Sequence, residues 1–585
     1  MRWTSGLCCL LRNKNRENPS KDNPTMQHPQ KHNRREFLKR SGAVPLGTAL
    51  ALGAFSSWGG LAVHADASES SEMAAARKKA QQRRRRLIYN DDGCGPLGSP
   101  AGNTAEGFLY GPQSRMGALI GSQVDSVFIC SGATHVLTHP TAVAESYADV
   151  AQRYGIGGEW EAYRVNMRAL EGLKTDAIQL TIDHCRKHKL EVCYSHRIND
   201  IHNSFLEVER STWFREHPQY WMGKPDEAAK AGGANSPKHW WSALDFEQPD
   251  VLDHLARIQQ EVSGKYDVDG MEIDYFRSPM FFRPNLEYQS ATAAQVEILT
   301  GFQRRLRQIH LRAGNQRGRP ILTAVRVPAT LAACRHVGID IEKWLKQGLV
   351  DVLNVGGGYV PFTEPLDEIV KLAHGVGVPV YSTISASGMR GPDNRYSAVE
   401  AWRGAAANMW HAGVDGIVTF NIFPAVGPEP RFADIGSKET LAGRDKLFVI
   451  DPIRVLEGDL VQGITQSQAL PISIPGNGKS ITASLPIGDD LAAAAKRGRL
   501  ASADLRIRLS NPKAIEVVEV SLNGAVMAVA EQDAKTGWFI CRPKPEQYRQ
   551  GRNELTFRAT RVAANGEAIT DVTHVEVPVH YVSPV

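Results

Sequence analysis

Glu272 and Asp274 are the residues in this chain whose type and spacing speak most directly of chemistry. They lie in Tyr266-Asp267-Val268-Asp269-Gly270-Met271-Glu272-Ile273-Asp274-Tyr275-Phe276-Arg277, a largely apolar run that reads as a buried strand. Successive side chains of a strand point to opposite faces, so Met271 and Ile273 share one face while Gly270, Glu272 and Asp274 share the other. Strand rise puts the two acidic Cα atoms about 6–7 Å apart. Paired carboxyl groups do the work of glycoside hydrolysis: one protonates the departing oxygen and the other attacks, activates water or stabilises charge. Two neighbouring acids also raise the pKa of one of them, which keeps a proton available near neutral pH. Glu272 is thus expected as general acid, and Asp274 as nucleophile, base or stabiliser of oxocarbenium charge. Arg277, three residues on, is an alternative ion-pair partner for Asp274.

The elements that must position this pair follow from hydrophobic patterning. Strand-like runs are predicted near residues 87–91, 125–130, 190–196, 268–275, 321–327, 350–355, 378–384 and 415–421. Amphipathic helical patterns fall between them, at 163–188, 249–263, 293–313, 340–347, 365–376 and 398–412. Strands alternating with helices imply parallel strands with crossovers, and eight such units over 87–445 predict a (β/α)8 TIM barrel, an α/β fold. An open doubly wound sheet would want a glycine-rich phosphate turn after its first strand, and Asn90-Asp91-Asp92-Gly93-Cys94-Gly95-Pro96 is not one. Gly356-Gly357-Gly358 reads as a sharp loop turn. From 446 to 585 the texture changes to short alternating runs at 469–474, 480–485, 504–509, 514–522, 525–530, 537–542, 553–559 and 574–580, separated by Gly, Asn and Pro. That pattern predicts an antiparallel β-sandwich. With Trp538 its sole tryptophan, the sandwich is expected to brace the barrel rather than to bind sugar.

Active sites of such barrels gather at the C-terminal strand ends. Those ends deliver Asp91 and Asp92, then His196 and Arg197 with Asp200 beyond, then Tyr275 and Arg277, Arg326, Asn354, Tyr381 and Asn421. The loop between the third and fourth strands adds Trp213, Tyr220, Trp221, Trp240, Trp241 and Asp245. Aromatic faces pack on the C–H faces of pyranose rings, while Asp, Asn, Arg and His hydrogen-bond the hydroxyls, so this mixture suits a carbohydrate substrate.

A first strand ending Asn90-Asp91-Asp92, a tryptophan-rich loop leading to Ala243-Leu244-Asp245-Phe246, and Asp269-Gly270-Met271-Glu272-Ile273-Asp274-Tyr275 resemble the glycosyl-hydrolase-like family ten proteins, bacterial (β/α)8 barrels. The resemblance spans roughly residues 86–440 and implies a glycosidase-type site at strand four. One departure matters. Retaining barrels of the large glycosidase clan pair a strand-four Glu with a strand-seven Glu, and Val380-Tyr381-Ser382-Thr383-Ile384-Ser385 holds no acid. A second carboxylate must then be Asp274, Asp91, Asp92, Asp200 or Asp245. The leading expectation is an exported glycoside hydrolase; a catalytically silent sugar-binding barrel and a polysaccharide lyase using Arg326, Arg277 or Arg197 are the alternatives.

The N-terminus carries an address. Asn33-Arg34-Arg35-Glu36-Phe37-Leu38-Lys39 resembles a twin-arginine export signal, and an apolar, glycine-rich run from 41 to 63 leads to Val63-His64-Ala65 and Ala65-Asp66-Ala67 as cleavage sites. Residues 1–66 are read as a signal region and not a permanent membrane span, with a periplasmic or extracellular destination; 67–86 are read as a basic linker. Ala74-Ala75-Ala76-Arg77-Lys78-Lys79-Ala80-Gln81-Gln82-Arg83-Arg84-Arg85-Arg86 is expected as a solvated connector. A net charge of +5 over 585 residues, much of it N-terminal, gives no case for nucleic-acid binding. Eight cysteines form no CxxC pair, and those beyond the signal are expected buried and unpaired. His135 with His139, or His196 with Asp200 and His202, have ligand-type side chains, yet no cofactor or metal is predicted.

Overall fold

Short runs of Val, Ile and Leu flanked by helices that each offer one apolar stripe can bury both faces of a parallel sheet only by wrapping the helices around it. The computed structural model shows that solution. It describes residues 69–585 except 94–95, 99–103, 112–113, 232–235, 358–362, 364, 390–394, 425–426, 451–469, 562–566 and 583–585. The twin-arginine segment, the apolar run behind it and Cys94 lie outside the described residues.

Eight parallel strands close a barrel: β1 Leu87–Asp91, β2 Val124–Cys130, β3 Glu191–Arg197, β4 Gly270–Asp274, β5 Leu322–Val327, β6 Val352–Val355, β7 Val380–Ser385 and β8 Gly416–Phe420. The outer layer includes α2 Ala177–Lys187, α3 Pro249–Lys265, α4 Ala293–Arg317, α5 Ile341–Lys346, α6 Asp367–His374 and α7 Val399–His411. All eight predicted barrel strands are present. The predicted helix over 163–188 is instead two, Glu159–Gly172 and Ala177–Lys187, separated by Lys174 at φ 58° and an Asp176 N-cap that accepts from Ile178 and Gln179 N–H. Inside the barrel Ile88, Phe128, Cys193, Leu322, Ala324, Val352, Tyr381 and Val418 form a separate apolar plug, so the lumen is a packed core with its polar groups above and below.

The N-terminal basic segment is only partly the solvated connector expected: most of it is exposed, but two of its arginines are buried in the barrel. Residues Ser71–Gln81 form α1, capped by the Ser70 hydroxyl, and Arg77 from it donates to the Ile321 carbonyl at 2.6 Å and to Asp351 at 3.2 Å. Arg85, just before β1, is 1% exposed. Its guanidinium makes a bidentate pair with Glu191 at the start of β3, at 2.6 and 2.7 Å, and reaches the Tyr381 hydroxyl at 3.2 Å. Ser126 adds a 2.6 Å bond to the same glutamate. The reason is desolvation: the open N-terminal end of a barrel exposes buried polar groups, and a tethered arginine satisfies them.

Two antiparallel sheets follow. Strands β9 Lys446–Val449, β10 Ile472–Pro475, β12 Leu500–Ala503, β13 Leu505–Leu509, β16 Val529–Asp533, β17 Trp538–Cys541 and β19 Ala568–Tyr581 make one, with β19 at its centre. Strands β11 Ser480–Ile487, β14 Val518–Leu522, β15 Ala525–Val526 and β18 Gly551–Ala559 make the other. The expected strand at 514–522 begins late, because Pro512–Val517 is a 3-10 turn; the one at 525–530 is broken into two. Helix α7 carries Gly404-Ala405-Ala406-Ala407 toward this region, and a Cβ on Gly404 would stand 2.2 Å from the Leu447 carbonyl oxygen. The small residues let the backbone of β9 lie directly on a barrel helix. Cys130, Cys185, Cys193, Cys334 and Cys541 are buried and free, as expected.

Breaking the buried Arg85–Glu191 pair leaves an uncompensated charge. Arg85→Ala is expected to cost about 3–5 kcal/mol in denaturant unfolding, and the paired change Arg85→Met with Glu191→Met to recover most of that.

Candidate active site

Strand β4 presents Gly270, Glu272 and Asp274 to the barrel interior, as alternation requires, while Met271 and Ile273 pack outward. Gly270 is needed there: a Cβ would lie 2.9 Å from Cys193 Sγ. Glu272 is 1% exposed and Asp274 2%. The two carboxyls are held in different ways.

Asp274 is paired with Arg326 of β5 through two parallel bonds, Nε to Oδ1 at 2.9 Å and Nη2 to Oδ2 at 2.8 Å. The Phe276 amide adds a third donor at 3.0 Å. Arg326 itself lies over the Phe420 ring, 4.3 Å from its centroid, and donates to the Gly356 carbonyl at 3.3 Å. The glycine turn after β6 permits this approach. Gly357 sits at φ 89°, and a Cβ there would meet Thr383 at 2.5 Å and Arg326 Nη1 at 3.2 Å.

Among the described residues Glu272 has no cationic ion-pair partner. Ser195 of β3 donates to its Oε2 at 2.5 Å, and the Asn354 amide of β6 donates to Oε1 at 2.6 Å. Burial and then the negative charge of Asp274 push its carboxyl up from the ordinary 4.5 to about 7, with the hydrogen bonds and Arg326 opposing. One acid therefore keeps its proton near neutrality while its neighbour is committed to an ion pair. That division of roles is what acid catalysis needs.

The remaining expected site residues separate into groups. Arg326 and Asn354 are in the site. Arg197 shares the inward face of β3 with Ser195, registers beside Asp274, and bonds Asp200 at 3.3 Å. Asp91 and Asp92 are both bound by Arg115 Nη1, at 3.1 and 2.5 Å, and Asp91 also caps the Gly93 amide. Asn421 sits just past β8 at φ 53°.

Several of the expected rim residues are turned to other partners. His196 faces outward, between the Thr134 carbonyl at 2.8 Å and Gln259 of α3 at 2.9 Å, and burial pushes its pKa down to about 4. Tyr275 also faces outward and bonds Gln303 of α4 at 2.8 Å. Tyr381 points down to Arg85 at the opposite end of the barrel. Trp241 is 6% exposed and packs against Trp221, with ring centroids 5.2 Å apart, so it offers no platform to a sugar. Asp245 is a local brace: it accepts from the Glu247 amide at 3.1 Å and from Arg283 at 2.8 Å. Nor does Arg277 pair with Asp274; its Nη2 donates to His202 Nε2 at 2.9 Å. Ser195, by contrast, was missing from the expected set. The alternation that selected Glu272 on β4 selects Ser195 over His196 on β3.

Asp200, His202 and Glu209 place their ligand-type atoms within 4.8 Å of one another. Proton accounting argues against a cation there. Arg277 can only donate, so His202 Nε2 accepts and Nδ1 carries the hydrogen given to Asp200. Both ring nitrogens are used, and Arg197 further offsets the charge of Asp200. His135 and His139 do not meet either: the first stacks on Phe214 and the second bonds Tyr194.

No family model matches the chain, and no curated protein matches it significantly. Among solved structures it is similar to a glycoside hydrolase family 18 N-acetylglucosaminidase from Paenibacillus barengoltzii, at 9% identity and TM-score 0.31 over 58% of this chain and 95% of that one. It is similar also to the PgaB (BpsB) glycoside hydrolase domain from Bordetella bronchiseptica, at 13% and 0.35 over 60% and 95%. Chitinase ChiA74 from Bacillus thuringiensis gives 10% and 0.35 over 84% and 100%. Likeness at this level carries no information about the chemistry of this chain.

Removing the Arg326 guanidinium would leave Asp274 buried without its counter-charge. Arg326→Met is expected to destabilise the barrel by about 3–5 kcal/mol, read by thermal or denaturant unfolding; Arg326→Lys, which keeps charge but loses the bidentate geometry, should fall between it and wild type.

Proposed function

We propose that this protein is an exported glycoside hydrolase of the glycosyl-hydrolase-like family ten type, cleaving a poly- or oligosaccharide at the C-terminal mouth of its barrel. The observation that carries the reading is Glu272: a buried carboxyl with its pKa near 7, held by two neutral donors, at the end of an inward-facing strand. In this role it protonates the glycosidic oxygen as the bond breaks. Ser195 and Asn354 fix its direction. Asp274, anchored by Arg326, supplies fixed negative charge where oxocarbenium character develops. The anchoring counts against Asp274 as a mobile nucleophile.

The same anchoring favours one alternative, a sugar-binding barrel without turnover. A uronate lyase is less well supported, because Arg326 is engaged by Asp274 and Arg277 by His202.

Glu272→Gln is expected to lower kcat about 10²–10⁴-fold while substrate binding is kept, measured as reducing ends released from a glycan panel. Undiminished release would remove Glu272 from the acid role; binding by wild type with no release would favour the silent barrel. The pH dependence has a definite sign. Glu272 works only when protonated, so turnover should fall on the alkaline side with a midpoint near 7. Its raised pKa also means that its contribution to stability is full below about 4.5 and lost as pH rises through about 7.

Export is part of the proposal and is supported by the N-terminal sequence: the paired arginines, the apolar run behind them and the small residues for cleavage. Replacing Arg34 and Arg35 together with Lys should hold the full chain in the cytoplasm, assayed by fractionation; unchanged export would exclude the twin-arginine route.

A further inference from the structure

At the end opposite the acid pair, the barrel is crossed by its own basic segment. Strands β3 and β7 stand across from one another in the closed ring, and residues 77–86 reach from one to the other. Lys78 Nζ donates to the Gly377 carbonyl in the turn before β7 at 3.2 Å. Arg83 Nη2 donates to the Lys189 carbonyl in the turn before β3 at 3.3 Å. Arg77 holds the Ile321 carbonyl and Asp351 ahead of β5 and β6, and Arg86 pairs with Asp125 at the start of β2.

That architecture consumes the carboxylates of this end. Glu191 is paired with Arg85, Glu69 and Asp351 with Arg77, and Asp125 with Arg86. Asp267 and Asp269 are paired with Arg186 and Arg319, and Asp415 with His374. Glu72 lies in the first turn of α1, where the helix dipole favours an acid. Lys78, Lys79, Arg83, Lys187 and Lys189 are exposed and, among the described residues, have no carboxylate at ion-pair distance. Arg84 is exposed too and is partly offset by Glu439. Residues 87–585 as a whole carry more acids than bases, so the positive surplus here is local.

The spread of these charges says what fits them. A small anion needs donors that converge in a pocket, whereas these cations lie between opposite sides of a barrel. An extended sheet of negative charge matches that layout. Val376, 43% exposed and next to the Gly377 contact, adds an apolar side chain at the same edge. In the chain, the segment read as an export signal runs directly into α1, so this face is the part of the barrel nearest in sequence to the segment that first meets a membrane.

We infer that the N-terminal end of the barrel is a docking face for a bilayer bearing anionic headgroups, which holds the protein with its mouth turned away from the surface. The inference is independent of the hydrolase reading. The full chain is co-sedimented with vesicles of phosphatidylcholine alone and of phosphatidylcholine with phosphatidylglycerol. Binding to the first reports the apolar N-terminal run, and the excess on the second reports the basic face. Each lysine or arginine near an anionic surface contributes about fivefold in affinity. The excess should therefore reach about 100-fold at low salt and vanish in about 1 M salt, where the screening length is about 3 Å. Lys78→Glu combined with Lys79→Glu and Arg83→Glu should abolish it. Lys187→Glu, on α2 and outside the crossing segment, should lower it about fivefold or more with an unchanged unfolding midpoint. Equal partitioning of wild type onto both vesicles, or an undiminished excess in the variants, would overturn the face. Retention on immobilised heparin without a vesicle excess would assign the charges to a soluble polyanion and overturn the bilayer.

Discussion

Two carboxyl groups on one inward face of a strand cannot both be ionised away from water without a counter-charge, and the centre of this molecule is arranged around that constraint. Arg326 meets one of them with a bidentate pair. The other is left to neutral donors, Ser195 and Asn354, and holds its proton up to a pH near 7. The asymmetry depends on which strands stand beside β4. Strand β5 delivers the guanidinium, β3 the hydroxyl and β6 the amide, so the pair gains its chemical character from barrel closure rather than from its own segment.

The lower end of the barrel solves a related problem. Glu191 opens β3 facing the lumen, where an unpaired carboxylate would be costly. Arg85 neutralises it from a segment that precedes the first strand. Arg77 and Arg307 converge in the same way on Asp351. Two arginines of the basic run, Arg77 and Arg85, thus belong to the barrel's structure as closing groups, while Lys78, Lys79, Arg83 and Arg84 stay exposed. The apolar plug lies between the acid at the top and the ion pairs at the bottom.

Around the mouth, most of the aromatic loop between β3 and β4 is consumed by packing. Phe214 stacks on Trp221, and Trp241 packs edge-on against Trp221 and tilted against Phe214. Trp213 and Tyr220 are turned to the flank, where they meet α3. A loop rich in tryptophan thus serves mainly to hold itself together and to pack on α3.

The sequence by itself determined the barrel. Apolar strand-like runs separated by helical stripes leave one economical way to bury both sheet faces, and all eight strands lie where the runs predict. It also determined that Glu272 and Asp274 share a face, because side-chain alternation is a local property of extended backbone. What only the tertiary structure decided is how each acid is used. Whether Arg326 or Arg277 reaches Asp274, whether Ser195 or His196 faces the lumen beside Glu272, and whether Tyr381 points up or down depend on neighbours distant in the chain. So does the burial of Arg85, whose composition reads as a solvated linker. Proximity in a closed barrel is set by strand order and stagger, and neither is written in the spacing of any one segment.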